Sequence, residues 1–280
     1  MSAPVVIGEP SNYLSRTFEL VRLSLTQLVR QPSHSRRAGA ARRLARHMLL
    51  LAAIFGAVII ALMFELDIPE IGLMPRRGTA GLWPVRILTD FGKDAYVLLS
   101  LAGTLFAVVL IAPRLQGTSR SRLLGFGTHL QYAFFAVLMP VLAGEMIKWV
   151  VGRGRPFVGG KADAFNFVHF AGTEAYASFP SAHAITAFAL AFAVAAVWPR
   201  TRVVMIVYAV LIAISRLVLL AHHPSDVVAG ALIGVVGAIV VRYWFAARRL
   251  GFAVRRDGEI VPLRSFRGHL KRVAREASAP

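Results

Sequence analysis

Long apolar runs alternate along this chain with short polar breaks rich in arginine, proline and glycine. Six runs stand out, at about 48–66, 95–112, 130–151, 182–198, 203–220 and 227–245. Each approaches the roughly 20 residues that an α-helix needs to cross about 30 Å of hydrocarbon. The pattern predicts an all-α polytopic membrane protein, a six-transmembrane-helix bundle over 45–247 between basic tails at 1–44 and 248–280.

The polar segments carry their own signals. Leu14, Phe18, Val21, Leu25 and Leu28 recur at helical spacing, with Arg16 and Arg30 on the other side, which predicts an amphipathic helix. Two settings fit it equally: an anionic inner leaflet, or the side of the bundle. The connection 67–91 contains Pro69, Pro75, Gly78 and Pro84, with a short interfacial helix expected at 82–88. A basic turn is expected at 113–127 and a long polar loop at 152–179.

Composition agrees with a membrane setting: 56% of the 280 residues are hydrophobic, above the usual share for a soluble domain. The absence of cysteine excludes thiolate metal sites, disulfides and thiol catalysis. The net charge of +18 follows topology rather than a nucleic-acid surface. The two tails with Arg46, and the turns at 113–127 and 199–202, hold 22 Lys and Arg, against 8 in the other connections. By the positive-inside rule both tails are cytoplasmic, with no nucleic-acid partner expected. The N-terminal 44 residues lack the short apolar core of a cleavable signal. With this parity the end of the third run, the start of the fourth, the end of the fifth and the start of the sixth share the outer face.

Those four places hold the unusual polar residues. The third run ends KWVVGRGRP, with Lys148, Arg153, Arg155 and Pro156; the fourth starts PSAH, with Pro180, Ser181, Ala182 and His183. The fifth and sixth are joined by SRLVLLAHHPSD, with Ser215, Arg216, His222, His223 and Asp226. Ionisable groups are costly at a bilayer edge and mark a site. His222 and Asp226 are four apart, so one helical face can carry both if Pro224 opens a helix. Lys148, Arg155 and Arg216 supply cations for an anion, and Ser181 with the amides at Ala182 adds neutral donors at a helix start. On position alone, the three cations of the third run equally suit snorkelling side chains, His183 a satisfied helix-start histidine, and Ser181 a plain N-cap.

Together the three segments resemble the signatures K-x6-RP, PSGH and SR-x5-H-x3-D of the type 2 phosphatidic acid phosphatase (PAP2) superfamily. Every spacing is kept, and Ala182 stands where the family most often has glycine. The resemblance implies an integral-membrane lipid phosphatase working without metal or other cofactor. His222 is then the nucleophile that forms a phosphohistidine, Asp226 fixes its tautomer, and His183 is the acid and base. Lys148, Arg155, Ser181, Ala182 and Arg216 hold the phosphate. The implied partners are the bilayer and a lipid phosphate or diphosphate: undecaprenyl diphosphate, phosphatidic acid, phosphatidylglycerol phosphate or the 1-phosphate of lipid A. The implied location is the plasma (inner) membrane, with the site facing the periplasm or exterior. A phosphotransferase and a non-catalytic lipid-phosphate binder share these residues. His223 is off-motif and reads as an interfacial polar residue, His169 as a structural or gating residue, and Glu145 as the partner of Lys148.

Overall fold

The structure, a computed structural model, describes residues 12–31, 34–156, 158–160, 162–255 and 259–263, without the side chains of residues 34–40, 42, 43 and 47. The side chains of Arg36, Arg37, Arg42 and Arg43, together with Lys161 and the basic residues Arg256, Arg264, Arg267, Lys271, Arg272 and Arg275, lie outside this description.

Nine α-helices are described: α1 (Tyr13–Val29), α2 (His34–Glu65), α3 (Pro69–Leu73), α4 (Trp83–Asp90), α5 (Asp94–Ile111), α6 (Gly117–Val151), α7 (Ala182–Val197), α8 (Arg202–Val218) and α9 (Pro224–Ala247). A two-stranded antiparallel hairpin, β1 (Phe252–Val254) with β2 (Ile260–Pro262), pairs Phe252 with Pro262 and Val254 with Ile260. The protein is therefore an all-α polytopic membrane protein. Five apolar segments are long enough to cross a membrane: Leu44–Glu65 in α2, Ala80–Arg114 over α4 and α5, Gly117–Val151 in α6, Pro199–Val218 ending in α8, and Pro224–Ala247 in α9. The sixth expected span, α7, has only 16 residues, about 24 Å at the helical rise.

Helix α7 is the hub, packed by α6, α8 and α9, while α2 packs on α9. Its sequence explains this, because Ala184, Ala187, Ala189 and Ala193 are fully buried and let neighbours approach. The tightest approach is to α9. A Cβ added at Gly230 would lie 2.5 Å from the Ser181 carbonyl oxygen, and one at Gly234 would lie 2.4 Å from that of Ile185. These two glycines, four apart, set the starts of α7 and α9 side by side.

Two expectations about the connections are corrected. The basic turn at 113–127 is largely helical: a 3₁₀ turn at Ala112–Arg114 leads into α6 from Gly117, and Arg120 and Arg122 belong to that helix. Helical hydrogen bonding does not stop where the hydrocarbon stops, so hydropathy marked the apolar limit and not the helix limit. The segment after α9 is not a plain basic tail either. Phe252 of the hairpin is buried, with its ring 4.7 Å from that of Tyr132.

Helix α1 lies where amphipathic spacing placed it. Tyr13 donates to the Leu110 carbonyl at 2.7 Å and Arg30 to the Arg248 carbonyl at 2.9 Å, tying it to α5 and α9. Leu14 and Phe18 of its apolar face remain 77% and 70% exposed. An apolar cleft of about 830 Å³ separates α1 and α2 from α6 and α9, lined by Leu28, Met48, Phe135, Pro140 and Trp244. It shares no residue with the polar site described next.

Candidate active site

The ends of α2, α6 and α8 and the starts of α7 and α9 converge beneath the loop 152–181. Gly152 ends α6 with φ 57°, and a Cβ there would sit 1.8 Å from the Val168 carbonyl oxygen, so only glycine lets the returning loop cross so closely. An isolated bridge between Arg153 and Phe167 and the bond from Ser178 N to the Arg153 carbonyl, 3.0 Å, bring the loop back over the helix end.

His222 is 3% exposed, with Nδ1 2.8 Å from the Ser178 carbonyl oxygen. A carbonyl can only accept, so Nδ1 carries the proton and Nε2 keeps its lone pair. Burial, and then the positive charges of Arg216 and Arg155, hold its pKa well below that of an ordinary imidazole. The ring is therefore neutral in neutral solution.

Asp226 does not make the direct contact with His222 that their spacing suggests. Its Oδ2 lies 3.9 Å from Nδ1. That oxygen instead accepts from Ser178 Oγ at 2.6 Å and from His223 N at 2.9 Å, the latter because Asp226 caps α9, whose first residue is Pro224. Oδ1 accepts from Arg153 at 2.5 Å. Ser178 thus stands between carboxylate and imidazole, bonded to both.

The expected cations surround this pair. Lys148, Arg155 and Arg216 all lie within electrostatic range of His183, and so does Lys93 from the start of α5. Lys148 is hydrogen-bonded to Glu145 one turn earlier, the expected pairing. Arg155 pairs with the exposed Glu174 at 2.8 Å. Arg216 is 8% exposed and donates from Nη1 to Thr89 Oγ1 of α4 at 2.8 Å. Ser181 is the N-cap of α7, and its amide donates to the Asp226 carbonyl at 3.0 Å. The first-turn amides from Ala182 onward have no acceptor within the helix. Among the buried side-chain atoms of the described residues that have no hydrogen-bond partner, four belong to this site: Ser181 Oγ, His183 Nε2, Arg155 Nε and Arg216 Nε. Each comes from an expected phosphate-binding or catalytic residue, and an oxyanion can satisfy donors of this kind.

Other readings change. His223 is not interfacial: it is fully buried, and burial lowers its pKa. His169 is exposed, bonded through Nδ1 to the Val150 carbonyl at 3.2 Å and stacked on Phe167. Arg153 does not snorkel: it is 1% exposed and bonded to Asp67, Ser225, Asp226 and the Ala164 carbonyl. Asp67, Thr89, Arg153 and Ser178 were not singled out as site residues from sequence. Asp67 ends an apolar run and Arg153 sits among motif cations, but their pairing spans 86 positions, beyond any local spacing rule. The Gly230–Gly234 spacing was legible as a close-packing signal.

Lipid A 1-phosphatase of Rhizobium johnstonii is 33% identical over 183 residues, 65% of this chain and 75% of that protein. The family model for the PAP2 superfamily matches residues 129–250. The chain belongs to the PAP2 superfamily. Lipid A 1-phosphatase of Rhizobium etli is 32% identical over 182 residues, 64% of this chain and 78% of its own length. Bacitracin transport permease protein BcrC of Bacillus licheniformis is 29% identical over 170 residues, 58% and 79% of the two chains. No solved structure matches the chain. The PAP2 match contains all three signature segments but leaves out Asp67, Thr89 and Lys93.

Proposed function

We propose that this protein hydrolyses the phosphate of a membrane lipid through a phosphohistidine, at the outer face of the plasma membrane. The observation that carries this reading is the set of unpartnered donors on Ser181, Arg155 and Arg216 beside the unpartnered Nε2 of His183. A phosphate monoester brings several charged oxygens, and its transfer spreads charge over three of them. Lys148, Arg155 and Arg216 stabilise that charge, with Ser181 Oγ and the amides at Ala182 as neutral donors.

The lone pair on His222 Nε2 attacks phosphorus in line with the leaving oxygen. The P–O bond breaks and His183 gives its proton to that oxygen. Water then attacks the phosphohistidine, His183 takes a proton from it, and the P–N bond breaks to release inorganic phosphate. Asp226, through Ser178, steadies the positive charge that develops on the imidazole.

The charge asymmetry of the connections supports cytoplasmic tails and an outward site. Among substrates, the two relatives named Lipid A 1-phosphatase support the 1-phosphate of lipid A as the first to examine, ahead of undecaprenyl diphosphate, phosphatidic acid and phosphatidylglycerol phosphate. The deciding experiment measures phosphate release from these four lipids in detergent with EDTA, comparing the parent with His222→Ala. Release by the parent alone supports hydrolysis, and release with no added acceptor counts against a phosphotransferase. If neither protein releases phosphate from any lipid, the reading fails.

A further inference from the structure

The hydrogen bonds behind His222 continue to Asp67, a residue at the end of α2 that belongs to no signature and lies outside the family match. Asp67 is fully buried. Its Oδ2 accepts from Arg153 Nη2 at 2.8 Å and from Ser225 Oγ, and its Oδ1 accepts from Ser225 N at 3.0 Å. Arg153 reaches from there to Asp226 Oδ1 at 2.5 Å and Ser225 Oγ at 2.6 Å. Asp226 accepts from Ser178 Oγ, and the Ser178 carbonyl accepts from His222. An unbroken line of bonds therefore joins the first span to the reactive imidazole, and every side chain along it is buried.

We propose that Asp67 is a positioning residue for His222, acting through Arg153 and Asp226. This rests on the reading of His222 as the nucleophile. Two physical consequences follow from the geometry. The planar guanidinium places Nη2 on Asp67 and Nη1 on Asp226, so Asp67 helps fix where Arg153 points and hence how Asp226 is turned. With Oδ1 held by Arg153, Asp226 keeps Oδ2 on Ser178 and leaves the Ser178 carbonyl to the imidazole. Released from Arg153, the carboxylate is free to swing towards Nδ1, only 3.9 Å away, and rotate the ring out of line.

The second consequence is charge. Two carboxylates share one guanidinium, so the buried group carries an excess negative charge. Attack by His222 creates a positive imidazole near it, which the excess charge stabilises. Binding strengthened in the transition state raises kcat and leaves ground-state binding alone. Asp67 supplies that excess, since Arg153 and Asp226 alone would cancel.

The test compares the parent with Asp67→Asn and Asp67→Glu as full-length proteins in detergent. Asn keeps the size and an acceptor, so the protein folds, while the charge is lost. We expect Asp67→Asn to lower kcat roughly 10²-fold with KM changed less than about twofold, and Asp67→Glu to recover part of the rate. A second readout does not depend on turnover. Orthovanadate accepts a fifth ligand as phosphorus does in the transition state, whereas sulfate stays tetrahedral and is held only by the phosphate-binding donors. Asp67→Asn should weaken orthovanadate binding at least about tenfold and leave sulfate binding unchanged, both measured by thermal shift. Parent-like kcat and parent-like orthovanadate affinity overturn the proposal. So does a parallel loss of orthovanadate and sulfate binding, which marks a purely structural role. If the parent releases no phosphate from any lipid, the hydrolase reading falls, and the orthovanadate–sulfate comparison still decides the role of Asp67.

Discussion

Replacing Gly230 with alanine tests whether the α7–α9 approach sets the catalytic geometry. The added Cβ would lie 2.5 Å from the Ser181 carbonyl oxygen and 2.9 Å from Ala184 Cβ, where ordinary contact starts near 3.4 Å. The first obstacle is backbone, which cannot rotate aside, so the starts of the two helices must separate by roughly 0.9 Å. That displacement carries Ser181 and His183 away from His222 and Asp226. Overpacking of this kind costs about 1–3 kcal/mol, which a packed bundle survives. A misplacement near 1 Å at reacting groups costs about 10²-fold in rate. Gly230→Ala is therefore expected to fold, with a modestly lower Tm, and to lose about 10²-fold in kcat. The assay is phosphate release in detergent alongside a melting curve. Gly103→Ala on α5 is the control, because a Cβ there meets nothing within 4 Å and alanine favours a helix. If Gly230→Ala retains kcat within about twofold of the control, close packing at this glycine does not position the site.

Further outcomes follow from charge and burial. Because burial holds the His222 pKa well below its ordinary value, its ring should titrate below about pH 6.5; an NMR titration of the His222 ring with a midpoint at or above that value would refute its neutral state. Glu70 of α3 is 4% exposed with both carboxylate oxygens unpartnered, and burial together with neighbouring Asp67 raises its pKa to about 7. Between about pH 4.5 and about 7 the folded chain keeps this proton while the unfolded chain loses it, so stability falls as pH rises through that window and then levels off. Glu70→Gln should therefore match the parent near pH 4.5 and exceed it above pH 7 by up to about 3 kcal/mol, read as a Tm gap that opens with pH; a constant gap contradicts the argument. Glu174, 93% exposed, is ion-paired with Arg155. Glu174→Ala should tighten inhibition by inorganic phosphate by no more than about fivefold, the scale of an exposed ion pair, and weaker inhibition would show that Glu174 helps hold the anion.

The sequence by itself determined much of this protein. Hydropathy located five segments long and apolar enough to span, because apolar length is a local property matched to a bilayer of fixed thickness. The three signature segments named Lys148, Arg155, Ser181, His183, Arg216, His222 and Asp226, since each segment keeps its residues at short fixed spacings. The helix limits of α6 were not legible, because hydropathy reports where hydrocarbon ends and backbone hydrogen bonding continues past it. Tertiary structure alone decided how the site is held. It placed the Ser178 carbonyl, not the Asp226 carboxylate, on His222 Nδ1. It buried Arg153 between Asp67 and Asp226, and gave Arg216 its contact with Thr89 across 127 positions. Those partners come from separate helices and loops, and a bond between them depends on how the elements pack. Local sequence fixes which groups reach the membrane edge; packing fixes which of them touch.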